Sequence, residues 1–530
     1  MYKVMIRDNM HPIAKEILES TGQIKVVVDN DKKNNDPGVL SELIGEFHGL
    51  AVRSGTKVTK EVQEKATNLK VIGRAGIGVD NIDINAATNN GIVVMNAPGG
   101  NTVTTAEHAI SLMLSLARNI PQATASIRAG EWAKKRLMGV EITGKKLGIV
   151  GLGQIGRIVA QKAKGLGMKI LASDPYVSKE AAESMGVELM TLDALYAESD
   201  FISLHVPSLK ETVNMINKDT IAKMRKGVRI INCSRGNVVD IDDLYQAVLN
   251  EHVAGAALDV YPKEPPDYTM PLFQDQRIIF TPHLGASTDE AQFKVAEIIA
   301  REMADYLLNG VIVNAINFPS IPLEEMERLT PYLNLAEKMG SCMGQLIRNL
   351  HDITITYSGN VTEMETKPMT HAVLKGVLGS YTDKPVNYVS APMIAHAKGI
   401  HFNETTTRKP SDFGGHISVR FEGSESGPNE IWGTIFEKKY PRIVRLGKIY
   451  MDAVPEGSMI IIQNFDKPGV IGNVGTTLGK HNINIARFHL GRRDDLALCM
   501  VNIDMPADEG VLEEIRQLPN IISARQVILD

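Results

Sequence analysis

An α/β fold on doubly wound parallel sheets, followed by an α+β domain and a compact βαββαβ module, is what this sequence predicts. Three observations carry the expectation. Short apolar runs alternate with amphipathic stretches from the N-terminus to about residue 317, and such a βα alternation specifies a parallel sheet. Within it, Gly151, Gly153 and Gly156 stand in G-x-G-x-x-G spacing between an apolar run and a helical pattern, the arrangement that opens a dinucleotide-binding βαβ unit. The last ~75 residues spell β-α-β-β-α-β in short segments.

Size and composition set the frame. A chain of 530 residues exceeds one core, and about 100 to 200 residues per domain implies three or four domains. The net charge is −5, with both signs interspersed, so no concentrated positive footprint for nucleic acid is present. The expected partners are small molecules or proteins. Cys233, Cys342 and Cys499 lie far apart and form neither a metal-spaced cluster nor a disulfide framework. No metal is expected. The N-terminal stretch has no long apolar segment, and no run reaches the ~18 apolar residues needed to span a bilayer, so a soluble, cytoplasmic protein without a membrane partner is expected.

Taken in order, strands are expected at 3–6, 24–28, 50–52, 70–72 and 92–95, with helices at 12–18 and 60–67. Residues 101–118 read as a long helix, with Asn101 or Thr102 as its cap and Ile110, Met113, Leu114 and Ala117 on one face. His108, on that helix, reads as a packed and satisfied side chain rather than a ligand. The run 147–150 leads into the glycine loop, where each glycine has a mechanical task. Gly151 permits the tight turn, Gly153 lets backbone approach a pyrophosphate, and Gly156 lets helix and strand pack closely, while the helix N-terminus offers N–H groups to the anion. Asp174 ends the next apolar run, where a carboxylate accepts both adenosine ribose hydroxyls. Pro175 and Tyr176 follow, and no arginine is there to receive a 2′-phosphate, so NAD is expected over NADP. Further strands are expected at 201–205, 228–232, 254–259 and 278–281, with helices at 244–251 and 290–309; Pro319 and Pro322 mark a linker. Then come a helix over 332–350 and strands at 353–358, 416–421, 430–436 and 443–450. The terminal module is expected as 459–463, 468–480, 483–490, 496–504, 510–517 and 521–529, with Pro468 at a helix start.

Hydride transfer on a 2-hydroxy or 2-oxo acid needs a cation for the carboxylate, a proton donor for the developing alkoxide, and a partner for that donor. Arg235, beyond one strand, offers a two-pronged grip on carboxylate. His283, beyond another, gives and takes a proton near neutral pH. Glu264 is placed to bond the second ring nitrogen and raise its pKa. Each alone also reads as a surface residue or cap; the set is what points to chemistry.

These residues, with GRAGIGVDN at 73–81 and NAPGGN at 96–101, give the chain its resemblance to the D-3-phosphoglycerate dehydrogenase family of D-2-hydroxy acid dehydrogenases, in the long form with an intervening domain and a C-terminal ACT domain. The resemblance covers essentially the whole chain and is weaker across the intervening domain. It implies two doubly wound domains, a substrate domain of residues 1–96 and 283–317 and an NAD-binding domain of 97–282, then an intervening domain of 318–455 and an ACT regulatory domain of 456–530. By the same resemblance, Arg235 binds substrate carboxylate and carbonyl, and His283 with Glu264 is the acid–base pair. Gly151, Gly153, Gln154, Ile155, Gly156, Asp174, Val206, Pro207, Cys233, Ser234, Arg235, Asp259, His283 and Gly285 contact NAD. Arg53, Ser54, Arg74 and Asn101 hold the substrate, the two arginines on its phosphate. The reaction implied is oxidation of 3-phosphoglycerate to 3-phosphohydroxypyruvate, in a homodimer or homotetramer. Asn237 and Ile241 depart from the family pattern, which has glycine and an acid there, and so does Asn464-Phe465 before Asp466.

Several alternatives stay open on sequence grounds. A reductase of hydroxypyruvate, glyoxylate or another unphosphorylated 2-oxo acid would use the same Arg235, Glu264 and His283, and an NAD-sensing binding protein would share the fold. Lys134, Lys135 and Arg136 reach a second subunit's active site or form a solvated patch. The ACT resemblance implies L-serine as effector, with Asp466 for its ammonium group, the helix start at Pro468 for its carboxylate and Asn484 for either end; the same residues also suit a turn and a cap. His396, Lys398, His401, Arg408 and Lys409 either bind an anionic effector or form a solvated basic face.

Overall fold

In the computed structural model, residues 1–319, 323–382, 386–407, 413–423 and 428–529 are described; Pro322, Arg408 and Lys409 lie outside them. Among the described residues, four sheets follow one another along the chain. The first has five parallel strands in the order Ile24–Val28, Tyr2–Ile6, Gly49–Val52, Val71–Arg74, Val93–Asn96. Alternating side chains divide between its faces, as the period of two requires. Met5, Leu50, Val52, Ile72 and Val94 pack with Leu40, Val62 and Ala87 of local helices. Val4, Ile6, Ala51, Val71, Val93 and Met95 pack with Val295, Ile299 and Met303 of the distant helix Asp289–Asn309. A Cβ on Gly73 would stand 2.4 Å from Met303 Sδ, so glycine permits that close approach. Residues 314–317 close the sheet: Ile316 N donates to Val94 O, Asn96 N to Asn314 O, and Val94 N to Asn317 Oδ1.

The second sheet has seven parallel strands in the order Ile278–Phe280, Val253–Leu258, Val228–Asn232, Phe201–Leu204, Lys146–Val150, Lys169–Ser173, Glu188–Leu189. Strand order reverses between Lys146–Val150 and Phe201–Leu204, and ligands of open α/β sheets bind beyond the carboxyl ends of the strands at such a switch point. One face is covered by helices Thr102–Arg118 and Gln154–Gly165 through Ala109, Met113, Val159 and Ala163, the other by Leu195, Ile221, Leu244 and Val248. The expected cap of the long helix differs in kind: Asn101 holds the cap position without a side-chain cap bond, and Thr102 Oγ1 donates to Gly99 O instead.

The third sheet has six strands, and helices Leu323–Leu346 and Lys367–Leu378 cross at glycine: Gly340 and Gly344 abut the Val373 and Val377 backbones. The run expected as one strand over 443–450 is two, Tyr440–Leu446 and Ile449–Ala453, because Gly447 takes φ +59 and turns the chain into a hairpin. His401–Thr407 adds a parallel edge strand that sequence reading missed; only two of its seven residues are partly covered and none is buried, so no apolar alternation marks it. The fourth sheet, Ile485–Arg493, Leu496–Ile503, Gly457–Phe465, Ile521–Leu529, is antiparallel and carries helices Val470–Lys480 and Glu509–Arg516 on the Ile460, Ile462, Val501 face. Gly469, at φ +94, is the cap of the first of these helices, so Pro468 stands just outside it rather than at its first position. No described helix is long and apolar enough to cross a membrane.

Candidate active site

Between the first two sheets lies a cavity of about 380 Å³. The glycine loop forms one wall. Gly151, at φ +93, lies against His205 O, where a Cβ would come within 2.5 Å, and Gly156 lies against Gly151 O at 2.1 Å by the same measure; Gly153 has open space before it at the start of helix Gln154–Gly165. Asp174 accepts Leu152 N and Tyr176 N, each at 2.8 Å, which fixes the carboxylate beside the loop. Open backbone N–H groups, a cleared glycine and a fixed carboxylate suit a pyrophosphate and a ribose diol.

Across the cavity, Asp259 is fully buried at the end of Val253–Leu258 and accepts four hydrogen bonds or more: from Leu284 N at 2.7 Å, Gly285 N at 2.9 Å, Thr281 Oγ1 at 2.6 Å and His108 Nε2 at 3.1 Å. Burial pushes this carboxyl up, but the bonds from His108, Thr281 and Leu284 outweigh it and hold it below the usual carboxylate range. His108 is thus a satisfied partner, as its sequence context indicated. Asp259 also turns the chain for His283, which sits at φ +54, a costly conformation outside glycine, with its N–H on Asp259 O at 2.9 Å. So held, His283 points Nδ1 at Glu264 Oε2, 2.8 Å away, while Glu264 Oε1 accepts Tyr261 N at 3.2 Å. That hydrogen bond raises the imidazole above its ordinary pKa, against the opposing effect of burial.

Arg235 follows Val228–Asn232. Gly236 beside it packs so tightly on Tyr261 that a Cβ would overlap the backbone at 1.9 Å, and Asn232 ties the turn by donating to Arg235 O and accepting from Ser234 N and Oγ. The guanidinium gives Nε to Asp80 Oδ2 at 3.0 Å and NH1 to Ser234 O at 2.9 Å. Arg74 is pushed down to about 10 by burial and then by the positive charge of Arg235. Among the described residues, Arg74 Nε and Asn101 Oδ1 are buried polar atoms without a hydrogen-bond partner, and both residues line the cavity. Two neighbouring cations with an unsatisfied donor are a site for an anion.

Of the residues singled out in the sequence, Arg74, Asn101, Gly153, Gln154, Ile155, Val206, Pro207, Cys233, Ser234, Arg235, Asp259, His283 and Gly285 line this one cavity. Glu264 stands behind His283, and Gly151, Gly156 and Asp174 shape the loop. Arg53 and Ser54 are on the adjoining turn, where Arg53 N is held by Asp8 Oδ2 at 2.8 Å and burial lowers the Arg53 pKa. Of the two departures in the nucleotide domain, Asn237 donates to Ser208 Oγ, and Ile241 opens a helix already capped by Asp240. Sequence reading missed Asp80, Thr105 and His205. His205 is pushed down to about 4 by burial and bonds Ser203 Oγ at 2.9 Å; its one signal was a polar residue closing an apolar run.

The remaining candidates lie elsewhere. Lys134, Lys135 and Arg136 form an exposed patch beside Trp132, with Arg136 paired to Glu131 at 3.0 Å. Asp466 pairs with Arg492 at 2.5 Å, and Asn484 donates to Asp504 Oδ2 at 2.8 Å. Register places these two at opposite ends of the fourth sheet, since Phe465 faces Leu496 and Ile485 faces Ile503 on the strand between them. About eight residues at ~3.3 Å each separate them, so one chain does not bring them together. His396 packs on Phe402 with the rings tilted by 42°, and His401 is exposed.

Comparison with known proteins agrees with this fold. Residues 110–285 match the family described as D-isomer specific 2-hydroxyacid dehydrogenase, NAD binding domain; residues 328–447 match the D-3-phosphoglycerate dehydrogenase intervening domain, and 458–520 the ACT domain. The structure resembles D-lactate dehydrogenase from Aquifex aeolicus, solved with NAD and lactic acid, at TM-score 0.53 and 28% identity over 60% of this chain and 100% of that one. D-lactate dehydrogenase from Escherichia coli matches at TM-score 0.53 and 27% identity over 59% and 99%. Along the full length, the chain is 45% identical to D-3-phosphoglycerate dehydrogenase of Archaeoglobus fulgidus, over 99% of this chain and 100% of the relative, and 39% identical to that of Bacillus subtilis, over 100% of both. With a dehydrogenase cleft, an intervening domain and an ACT module in one uninterrupted match, the chain belongs to the D-3-phosphoglycerate dehydrogenase family.

Proposed function

We propose that this chain oxidises 3-phospho-D-glycerate to 3-phosphohydroxypyruvate with NAD, the first step of L-serine biosynthesis. The observation that carries the reading is the convergence of the His283–Glu264 pair, Arg235 and Arg74 on one cavity walled by the glycine loop. Arg235 grips the substrate carboxylate and orients C2; Arg74, with Arg53 and Ser54, holds the phosphate, and Asn101 offers its free carbonyl oxygen to a hydroxyl. With Nδ1 given to Glu264, His283 has Nε2 left for the C2 hydroxyl and takes its proton as the alcohol is oxidised. Glu264 stabilises the imidazolium that results. Bound NAD supplies the acceptor for the C2 hydride. In the reverse direction the same imidazolium returns the proton.

The division into residues 1–96 with 283–317, 97–282, 318–455 and 456–530 is part of this reading, as are a cytoplasmic homodimer or homotetramer and Lys134, Lys135 and Arg136 at a neighbouring subunit's site. L-serine is the proposed effector of the terminal module. Because Asp466 and Asn484 lie at opposite ends of one sheet, the proposed serine site takes one residue from each of two copies. Following NADH absorbance with phosphohydroxypyruvate and hydroxypyruvate side by side tests the catalytic reading. A preference for the phosphorylated acid of about 10²-fold or more, as expected for a substrate held by charged, bidentate contacts, supports it; equal or better use of hydroxypyruvate rejects it.

A further inference from the structure

The contact between Asp80 and Arg235 stands out because it crosses the cleft. Asp80 follows the strand Val71–Arg74 of the first sheet and Arg235 follows a strand of the second, yet Nε and Oδ2 are 3.0 Å apart. Both lie over Gly78, whose missing Cβ would meet Arg235 NH2 at 1.9 Å and Asp80 Oδ2 at 2.9 Å. A guanidinium grips a carboxylate with two adjacent N–H groups, and NH1 is already given to Ser234 O, a backbone carbonyl next in the chain. The edge left for two-pronged recognition is Nε with NH2. One of its two positions is occupied by the Asp80 carboxylate, a group 68% exposed and therefore inexpensive to release to water.

We propose that Asp80 is a specificity-determining residue that occupies the carboxylate subsite of Arg235 and must be displaced by the carboxylate of the acid substrate. The proposal rests on the reading of Arg235 as the substrate's carboxylate anchor. Asp80 acts through Arg235 rather than on the reacting atoms. It screens Arg235 from neighbouring Arg74 while the site is empty of acid, and it sets a threshold that neutral hydroxy compounds and weakly held anions do not cross. Ligand and Asp80 compete for one edge, so removal of the Asp80 charge tightens every carboxylate and leaves the chemical step alone.

The test compares wild type with Asp80→Asn and Asp80→Glu on the full chain. For Asp80→Asn the KM for 3-phosphoglycerate falls about fivefold, the scale set by release of one exposed ion pair, while kcat stays within about twofold; Asp80→Glu restores wild-type values. Oxalate, titrated calorimetrically into the NADH-loaded protein without turnover, tightens by the same factor. Asp80→Ser serves as second variant if the Asn form is insoluble. A KM that rises or stays constant overturns the proposal, because Asp80 then positions Arg235 in the bound complex or does nothing; unchanged oxalate affinity overturns it equally. If wild type fails to use 3-phosphoglycerate, the proposed function falls while the oxalate comparison still judges Asp80.

Discussion

Glu264 Oε2 and His283 Nδ1 are 2.8 Å apart, and no other contact raises the imidazole as much. Removing the Glu264 charge therefore lowers the His283 pKa. In hydroxy-acid oxidation His283 works unprotonated, so its pKa sets the acid limb of the pH–rate profile. We expect Glu264→Gln to shift that limb to lower pH and reduce kcat about tenfold, and His283→Ala to cost about 10² to 10⁴-fold. Arg235→Lys loses the fork and raises KM chiefly. An unshifted limb in Glu264→Gln removes that residue from the mechanism.

Asp174 is fixed by Leu152 N and Tyr176 N, leaving its carboxylate to meet the adenosine ribose. NAD is expected to be preferred over NADP, because a 2′-phosphate would confront that charge. Asp174→Ala should weaken NAD by about tenfold, the order of a charged hydrogen bond, and narrow the gap to NADP. Equal kcat/KM for both cofactors in wild type would contradict the assignment.

Glu302 is buried under the first sheet, with Asn314 on one oxygen and the other unpartnered among the described residues, and burial raises it to about 7. An acid whose folded pKa lies above its unfolded value holds a proton the unfolded chain has lost. Stability should therefore fall as pH rises from about 4.5 to about 7 and stay reduced above. Glu302→Gln should flatten that fall and stabilise the protein at pH ~8 by on the order of 2 kcal/mol. Thermal melts of both proteins across this range check the sign.

Serine binding to the terminal module requires a differential affinity for two states of the cleft if it is to inhibit. Asp466→Ala with Asn484→Ala should abolish serine binding measured by calorimetry. Since the two residues are proposed to meet only between copies, a mixture of the two single mutants should recover about a quarter of the sites, if copies pair at random through a two-site symmetric interface. Inhibition that persists in the double mutant places the site elsewhere.

Legibility in the sequence followed the strength of local signals. The strands of both parallel sheets, apart from the two-residue edge strand Glu188–Leu189, and the glycine loop were readable because buried parallel strands are continuous apolar runs bounded by glycine and polar residues. Arg235, Glu264 and His283 stood out as polar residues just beyond such runs. Edge strand His401–Thr407 and the split at Gly447 were not legible, since the one lacks a buried face and the other is hidden by apolar residues on both sides of a single turn. Asp80 stands inside the GRAGIGVDN motif, but nothing there pointed to Arg235: its partner is 155 positions away, and only the approach of two sheets brings them together.

The first sheet receives its last helix, Asp289–Asn309, only after the whole second sheet has been made. A ribosome-bound chain thus carries Val4, Ile6, Val71 and Met95 on a face that helix Ile13–Ser20 covers only in part while residues 146–280 emerge. Order of synthesis and order of completion are inverted: the later sheet is finished first, and the earlier one waits for a segment more distant in time than in space. Chaperone capture of stalled nascent chains, mapped by crosslinking, should peak before residue 309 emerges and drop once it has; a flat capture profile would show that the five strands shelter that face without the helix.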